Sequence, residues 1–224
     1  MQRSSKNILL IGASEHAKVV ADIIEKEGKY KIIGLIDTFK PIGEEVYGYK
    51  ILGAEGTLAA LFASGKVSGG LIAIGDNWTR YIVAKKVKAL APEFKFISAI
   101  HPLASVARGA TLGNGCVLMA GAIVNSDSRV GDFCILNTNS ALDHDCVMDD
   151  FSSLAPNATV GGKVAIGAFS AIGLGANIIH GIKLGRHVVL GAGATALKDI
   201  PDYSVAYGVP AKVARKRREG EKYL

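Results

Sequence analysis

Two domains of different class are expected in this chain: a small parallel α/β domain, then a parallel β-helix. Two observations predict them. Before His101, short apolar runs alternate with segments of helical periodicity, whereas after it a six-residue repeat takes over and helical patterning stops. The expected divisions are therefore 1–100 for the α/β domain, 101–205 for the β-helix and 206–224 for a basic tail.

In the first part, NILLIGA reads as a buried strand. A helix follows at His16 to Lys26, with Val19, Val20, Ile23 and Ile24 spaced along one side. KIIGLID and GGLIAIGD supply two more strands, and Trp78 to Leu90 another helix. Strands alternating with helices imply a small parallel, Rossmann-like sheet.

The repeat begins VARGAT, LGNGCV, LMAGAI from Val106 and runs unbroken to Leu190 and beyond, with an aliphatic residue opening all 15 hexads. A hexapeptide period marks a parallel β-helix, because one repeat cannot bury an apolar face alone and stacked coils can. Three hexads make a coil of about 18 residues, so the segment holds about five turns. The fifth hexad position is mostly small, and Cys116, Cys134 and Cys146 all fall on it. These cysteines read as wall material, since they form no CxxC pair and their odd number argues against a closed disulfide framework.

Composition excludes several classes. Of 224 residues, 49% are apolar and 21% charged, which describes a folded chain and not a disordered one. No apolar run approaches the roughly 18 residues of a membrane span, and none near the start forms a signal-peptide core. A cytoplasmic protein without a membrane span is the expectation. The net charge of +6 favours anionic partners, but it is diluted by 20 acidic residues and dense only in AKVARKRREGEK. Phosphorylated small molecules fit this balance better than nucleic acid.

Candidate site residues come from both domains. Gly12 closes the first strand and leads through Ser14 into the helix at His16, where backbone N–H groups at a helix start suit a phosphate. The full dinucleotide fingerprint is absent, because Ser14 and Ala17 stand where its later glycines belong. Asp37 ends the second strand, as a ligand for a ribose or base edge or as a strand-end cap. Asn77 and Arg80 follow the third strand, where Arg80 either offers a forked donor to phosphate or is solvated. In the β-helix, LDHDCVMDD places His144 in one column with Gly162 and His180, each one coil apart. At about 4.8 Å per coil the two histidines lie about 10 Å apart, and Gly162 leaves a notch beside His144.

IGASEHAKVVADII followed by LID, and later IHPLASVA, DHDCVMDDFS and GVPAK, together resemble the bacterial NeuD-type sugar acetyltransferases. These hexapeptide-repeat enzymes include the UDP-N-acetylbacillosamine type, which acts on nucleotide-linked 4-amino-4,6-dideoxy sugars. The resemblance implies a left-handed β-helix, a homotrimer, acetyl-CoA in the groove between neighbouring helices, and a nucleotide sugar held by Gly12, Ser14, His16, Asp37, Asn77 and Arg80. A UDP-linked sugar is the first expectation.

The same resemblance makes His144 the general base for the sugar amine, oriented by Asp145. Adjacent strand residues point to opposite faces, so this pairing requires the coil to bend there. Asp143 and Asn137 are further orienting candidates. The thioester oxygen needs a backbone donor, sought at Gly161 or Gly162. Gly173, Gly191, Ser153 and Lys212 complete the acetyl-CoA set, although the two glycines also read as plain turn residues, and Ser153 stands where some relatives carry histidine.

No metal is expected. The rival readings are an O-acetyltransferase for sialic acid or another sugar, an N-acetyltransferase for a GDP- or dTDP-linked amino sugar, a noncatalytic nucleotide-sugar sensor, and a β-helix metalloenzyme using His144, His180 and His187. Against the metalloenzyme, His187 occupies a different hexad position from the other two.

Overall fold

The computed structural model describes residues 6–223. Two compact units emerge: one comprises the chain up to Gly75 together with Thr79–Pro102, the other Asp76–Trp78 and Leu103 onward.

In the first unit, strand β1 (Lys6–Ile11) leads into helix α1 (Glu15–Glu27), then β2 (Tyr30–Ile36). Hairpin strands β3 (Glu45–Val46) and β4 (Tyr49–Gly53) precede α2 (Glu55–Ala63), β5 (Gly70–Ile72) and α3 (Asn77–Leu90). The sheet order is β3-β4-β2-β1-β5, with β1 between β2 and β5 and parallel to both. Helix α1 buries Ala17, Val20, Ala21, Ile23 and Ile24. Val19, expected on that side, is 43% exposed, because the buried stripe rotates onto the two alanines. Gly28 ends α1 in the left-handed region at φ 69°, donating to Ile24 O, a conformation that costs glycine nothing. The hairpin and α2 carried no strand or helix reading in the sequence. EGTLAALFA is apolar on every side of α2, so it lacks the 3.6-residue contrast that reveals a surface helix.

The second unit is a left-handed parallel β-helix. Two-residue strands recur every six residues and pair in parallel with a fixed 18-residue offset, as in the ladder Val106, Val124, Leu142, Val160, Ile178, Ala196. From Leu118 to Leu190 every first-position aliphatic is buried, whereas Val106, on the first coil, is 39% exposed. Cys116, Cys134 and Cys146 are fully buried, and burial raises the Cys146 thiol above its ordinary pKa.

The corners follow a rule the hexads did not announce. Every fourth position from Gly109 to Gly193 has positive φ, including Asp127, Phe133, Asn139, Asp145, Phe151, Asn157, Lys163, Phe169 and His187. For a non-glycine residue this costs roughly 1–2 kcal/mol, least for Asn and Asp. Where the corner residue is bulky, stacking offsets the cost. Phe133, Phe151, Phe169, His187 and Tyr203 form one ladder, with centroids 4.7, 5.5, 4.7 and 4.9 Å apart. His187 is a rung of that ladder, its pKa lowered by burial first and the Arg217 charge second.

The segment expected as a tail is folded. Ser204–Tyr207 joins the sheet edge beside Val189–Leu190 and pairs antiparallel with Lys212–Lys216. An unpaired last coil would leave open edge donors and acceptors, and this hairpin covers them.

Candidate active site

His144 stands at a corner of the β-helix, immediately after the strand Ala141–Leu142. Its Nδ1 lies 2.8 Å from Asp145 Oδ2, both side chains about half exposed, at 53% and 50%. Two successive residues meet in this way because Asp145 occupies the left-handed corner, φ 58°, which breaks the strand alternation. An ionised carboxylate only accepts, so in the neutral ring Nδ1 carries the proton and Nε2 keeps its lone pair.

Asp143 holds the backbone of the turn instead of the ring. Its Oδ1 accepts from His144 N and from Asn125 Nδ2, both at 2.8 Å, and these bonds hold the carboxyl below its ordinary pKa. Asn125 escaped the sequence reading, although its position 18 residues before Asp143 was the available signal. Asn137 lies at a different corner of the same chain, where its Oδ1 accepts from Thr138 N at 2.8 Å.

One coil on, Gly162 faces the His144 ring. A Cβ there would sit 2.6 Å from Nε2 and 2.7 Å from Cε1. The notch inferred from the 18-residue column is thus occupied by the imidazole of His144 itself. Gly161 donates its N–H to Ile178 O in the ladder, at 2.9 Å, whereas the N–H of Gly162 has no acceptor among the described residues. His180 is exposed, and its backbone N packs against Gly161.

The remaining acetyl-CoA candidates lie elsewhere on the same chain. Gly173 and Gly191 belong to a different corner from His144. A Cβ on Gly173 would meet Ala192 N and Leu190 O at 2.7 Å, and one on Gly191 would meet Tyr207 Cβ at 2.9 Å, so close coil stacking accounts for both glycines. Ser153 is on the sheet those two glycines follow, paired with Ala171, its hydroxyl 3.3 Å from that of Tyr223, and Lys212 is exposed in the final hairpin.

In the α/β unit, Gly12 has φ 103°, and a Cβ there would collide with Ile74 Cγ1 at 2.8 Å, so β1 ends close against the end of β5. Ser14 caps α1 without a side-chain hydrogen bond, and the helix start is left open beside a cleft of about 530 Å³ lined by Ser14, Lys18, Lys40 and Glu44. Burial, reinforced by the Arg80 charge, lowers the His16 pKa to about 4, and its shielded Nε2 has no hydrogen-bond partner among the described residues. Asp37 caps three backbone groups: Oδ2 accepts from Ala13 N, and Oδ1 from Phe39 N and Lys40 N.

Two candidates from this region are corrected. Arg80 is 1% exposed and donates Nη1 to Ile74 O and Gly75 O at 3.0 and 2.9 Å, so it is not solvated, and that nitrogen serves backbone carbonyls. Asn77 is 1% exposed and donates to Ser170 O, which groups it with the β-helix unit. Among the described residues no three His, Cys, Asp or Glu side chains are placed to hold a metal, and no helix is long and apolar enough to cross a membrane.

Comparison with known proteins agrees with this architecture. Residues 7–87 match the PglD N-terminal domain. A segment of 118 residues is 33% identical to UDP-N-acetylbacillosamine N-acetyltransferase of Bacillus subtilis (strain 168), a match spanning 51% of this chain and about half, 52%, of that relative. A histidine-to-alanine mutant of GDP-perosamine N-acetyl transferase from Caulobacter crescentus, solved with CoA and GDP-perosamine, is 33% identical. That match covers 95% of this chain and 99% of the other, at a TM-score of 0.89. The acetyltransferase domain of PglB from Neisseria gonorrhoeae FA1090, solved with acetyl coenzyme A, is 35% identical over 94% of this chain and 100% of that one, at a TM-score of 0.84. With the two-unit fold in place and a relative matched along nearly its whole length, the chain belongs to the NeuD/PglD-type family of bacterial sugar acetyltransferases.

Proposed function

We propose that this protein transfers the acetyl group of acetyl-CoA to the amine of a nucleotide-linked 4-amino sugar by direct attack. The observation that carries the reading is the His144–Asp145 pair, turned together by the corner at Asp145, with the bare backbone of Gly162 against the ring. Nε2 of His144 takes the proton as the amine nitrogen bonds to the thioester carbon, Asp145 supports the resulting imidazolium, and the Gly162 N–H receives the developing negative oxygen. Collapse then breaks the carbon–sulfur bond, and the CoA thiolate leaves with the proton. No acyl-enzyme is needed. Relatives solved with CoA and with an amino-sugar nucleotide support the substrate classes.

The test is an acetyl-CoA assay against UDP-, GDP- and dTDP-linked 4-amino sugars, read by mass spectrometry. One of them gains an acetyl group with release of one CoA. Hydroxyl acetylation, or no transfer to any amine, overturns the reading.

The active form is a homotrimer. A single chain sets His144 and Gly162 at one corner and the remaining acetyl-CoA candidates at others, and a neighbouring copy can bring two such corners together. The column Ser105, Ile123, Ala141, Thr159, Asn177 and Thr195 carries no charged side chain, as suits burial against another copy. Light scattering is expected to give the mass of three chains, and Thr159→Arg to give single chains without activity. A monomer with full activity would sink this assembly.

A further inference from the structure

The α/β sheet reverses direction at β1: the chain builds outward through β2 and β4, then returns to add β5 on the other side. Ligands of open parallel sheets bind beyond the strand ends near such a reversal. Here that place is a slot lined by apolar Ile36, Ile74 and Val83, by the Phe39 ring, and by polar Asp37, Thr38, Glu55 and Thr79. Phe39 is 95% exposed, an unusual cost for a phenyl ring unless something covers it. Glu55 is 8% exposed and ionised below the ordinary carboxylate range, by its backbone bond and those from Lys86 and Thr38, which together outweigh the opposing desolvation.

We infer that this slot holds the nucleobase of the acceptor and selects guanine, with Phe39 stacked on the ring and Glu55 receiving its N–H edge. The inference rests on the nucleotide-sugar reading above and replaces the uridine nucleotide expected from sequence. An apolar lining and an exposed aromatic ring suit a planar base.

The polarity of the lining decides which base. Thr38 donates its hydroxyl hydrogen to Glu55 Oε2 at 2.9 Å, which leaves its oxygen only lone pairs to offer a ligand. The Glu55 carboxylate is acceptor-only, and Lys86, at 3.0 Å, keeps it charged. Two acceptors in the lining, the Thr38 oxygen and the Glu55 carboxylate, suit a ligand edge with adjacent donors. Guanine supplies N1–H and the exocyclic amine side by side, whereas uracil and thymine set one N–H between two carbonyls that a carboxylate repels. Asp37 joins this slot to the cleft at the start of α1, since the residues whose N–H groups it accepts, Ala13 and Lys40, line that cleft. Lys18, Lys40 and the open helix start there suit the diphosphate that follows the base.

Calorimetry on the full chain with GDP, UDP and dTDP tests the inference without sugar or CoA. GDP is expected to bind at least about 10-fold more tightly than either pyrimidine nucleotide. Phe39→Ala, at an exposed site that leaves folding intact, weakens GDP by about 10-fold through lost stacking. Glu55→Gln weakens GDP more than UDP and so narrows the preference. Tighter UDP or dTDP binding, or GDP affinity unchanged in both variants, overturns the guanine assignment while leaving the acetyltransferase reading standing. Binding of none of the three overturns both this inference and the nucleotide-sugar reading it rests on.

Discussion

Replacing His144 with alanine lowers turnover by about 10²- to 10⁴-fold, the usual contribution of one positioned acid or base. The effect falls on kcat, because a general base acts on the transition state and adds little to ground-state binding of either substrate. Stability barely changes. The His144 side chain is half exposed, and the core of its hexad is made by Leu142 and Cys146, both fully buried. Steady-state kinetics with saturating substrates, beside thermal unfolding and light scattering, check all three parts. Near-native turnover would reduce the LDHDCVMDD stretch to ordinary surface. A loss matched by unfolding would leave the catalytic role unsupported.

Gly162→Ala should cost about 10²-fold in turnover although it removes no functional group. Misplacing a catalytic group by about an ångström commonly costs that much. The new Cβ would lie 2.6 Å from His144 Nε2, inside any permitted contact, and the ring is the mobile partner. It swings aside and loses the 2.8 Å contact of Nδ1 with Asp145. Gly162 is not in the left-handed region, so alanine brings no backbone strain, and unfolding temperature should hold. The decisive comparison is the double variant: once His144→Ala has removed the ring, Gly162→Ala should cost nothing more. Additive losses would mean that Gly162 acts on something other than the imidazole, and unchanged turnover in the single variant would separate the ring's packing from catalysis.

What could be read in the chain differs between its two halves for a physical reason. A β-helix repeats the same burial problem every six residues, so the aliphatic position, the small fifth position and the 18-residue columns are all visible as periodicity. The pairing of Val124 with Leu142 and of Leu142 with Val160 follows directly from that count. The α/β unit has no such repeat. Its strands and two amphipathic helices were legible from local contrast, but β3, β4 and α2 were not, and the slot at Phe39 and Glu55 lies in that silent stretch.

Periodicity also says nothing about backbone sign or about who receives a hydrogen bond. The positive φ at Asp145 turned two consecutive side chains to one side, and no pattern of polar and apolar letters encodes that. Arg80 looked like a phosphate fork because its charge is written in the sequence, whereas its carbonyl partners, Ile74 and Gly75, become partners only once β5 and α3 are folded. The sequence alone determined which β-helix positions are buried from Leu118 to Leu190 and which recur in register, since the apolar character that drives burial is carried by each residue type. Only the tertiary structure decided which polar atoms face one another, because that depends on the corners, and the corners depend on the coils stacked above and below them.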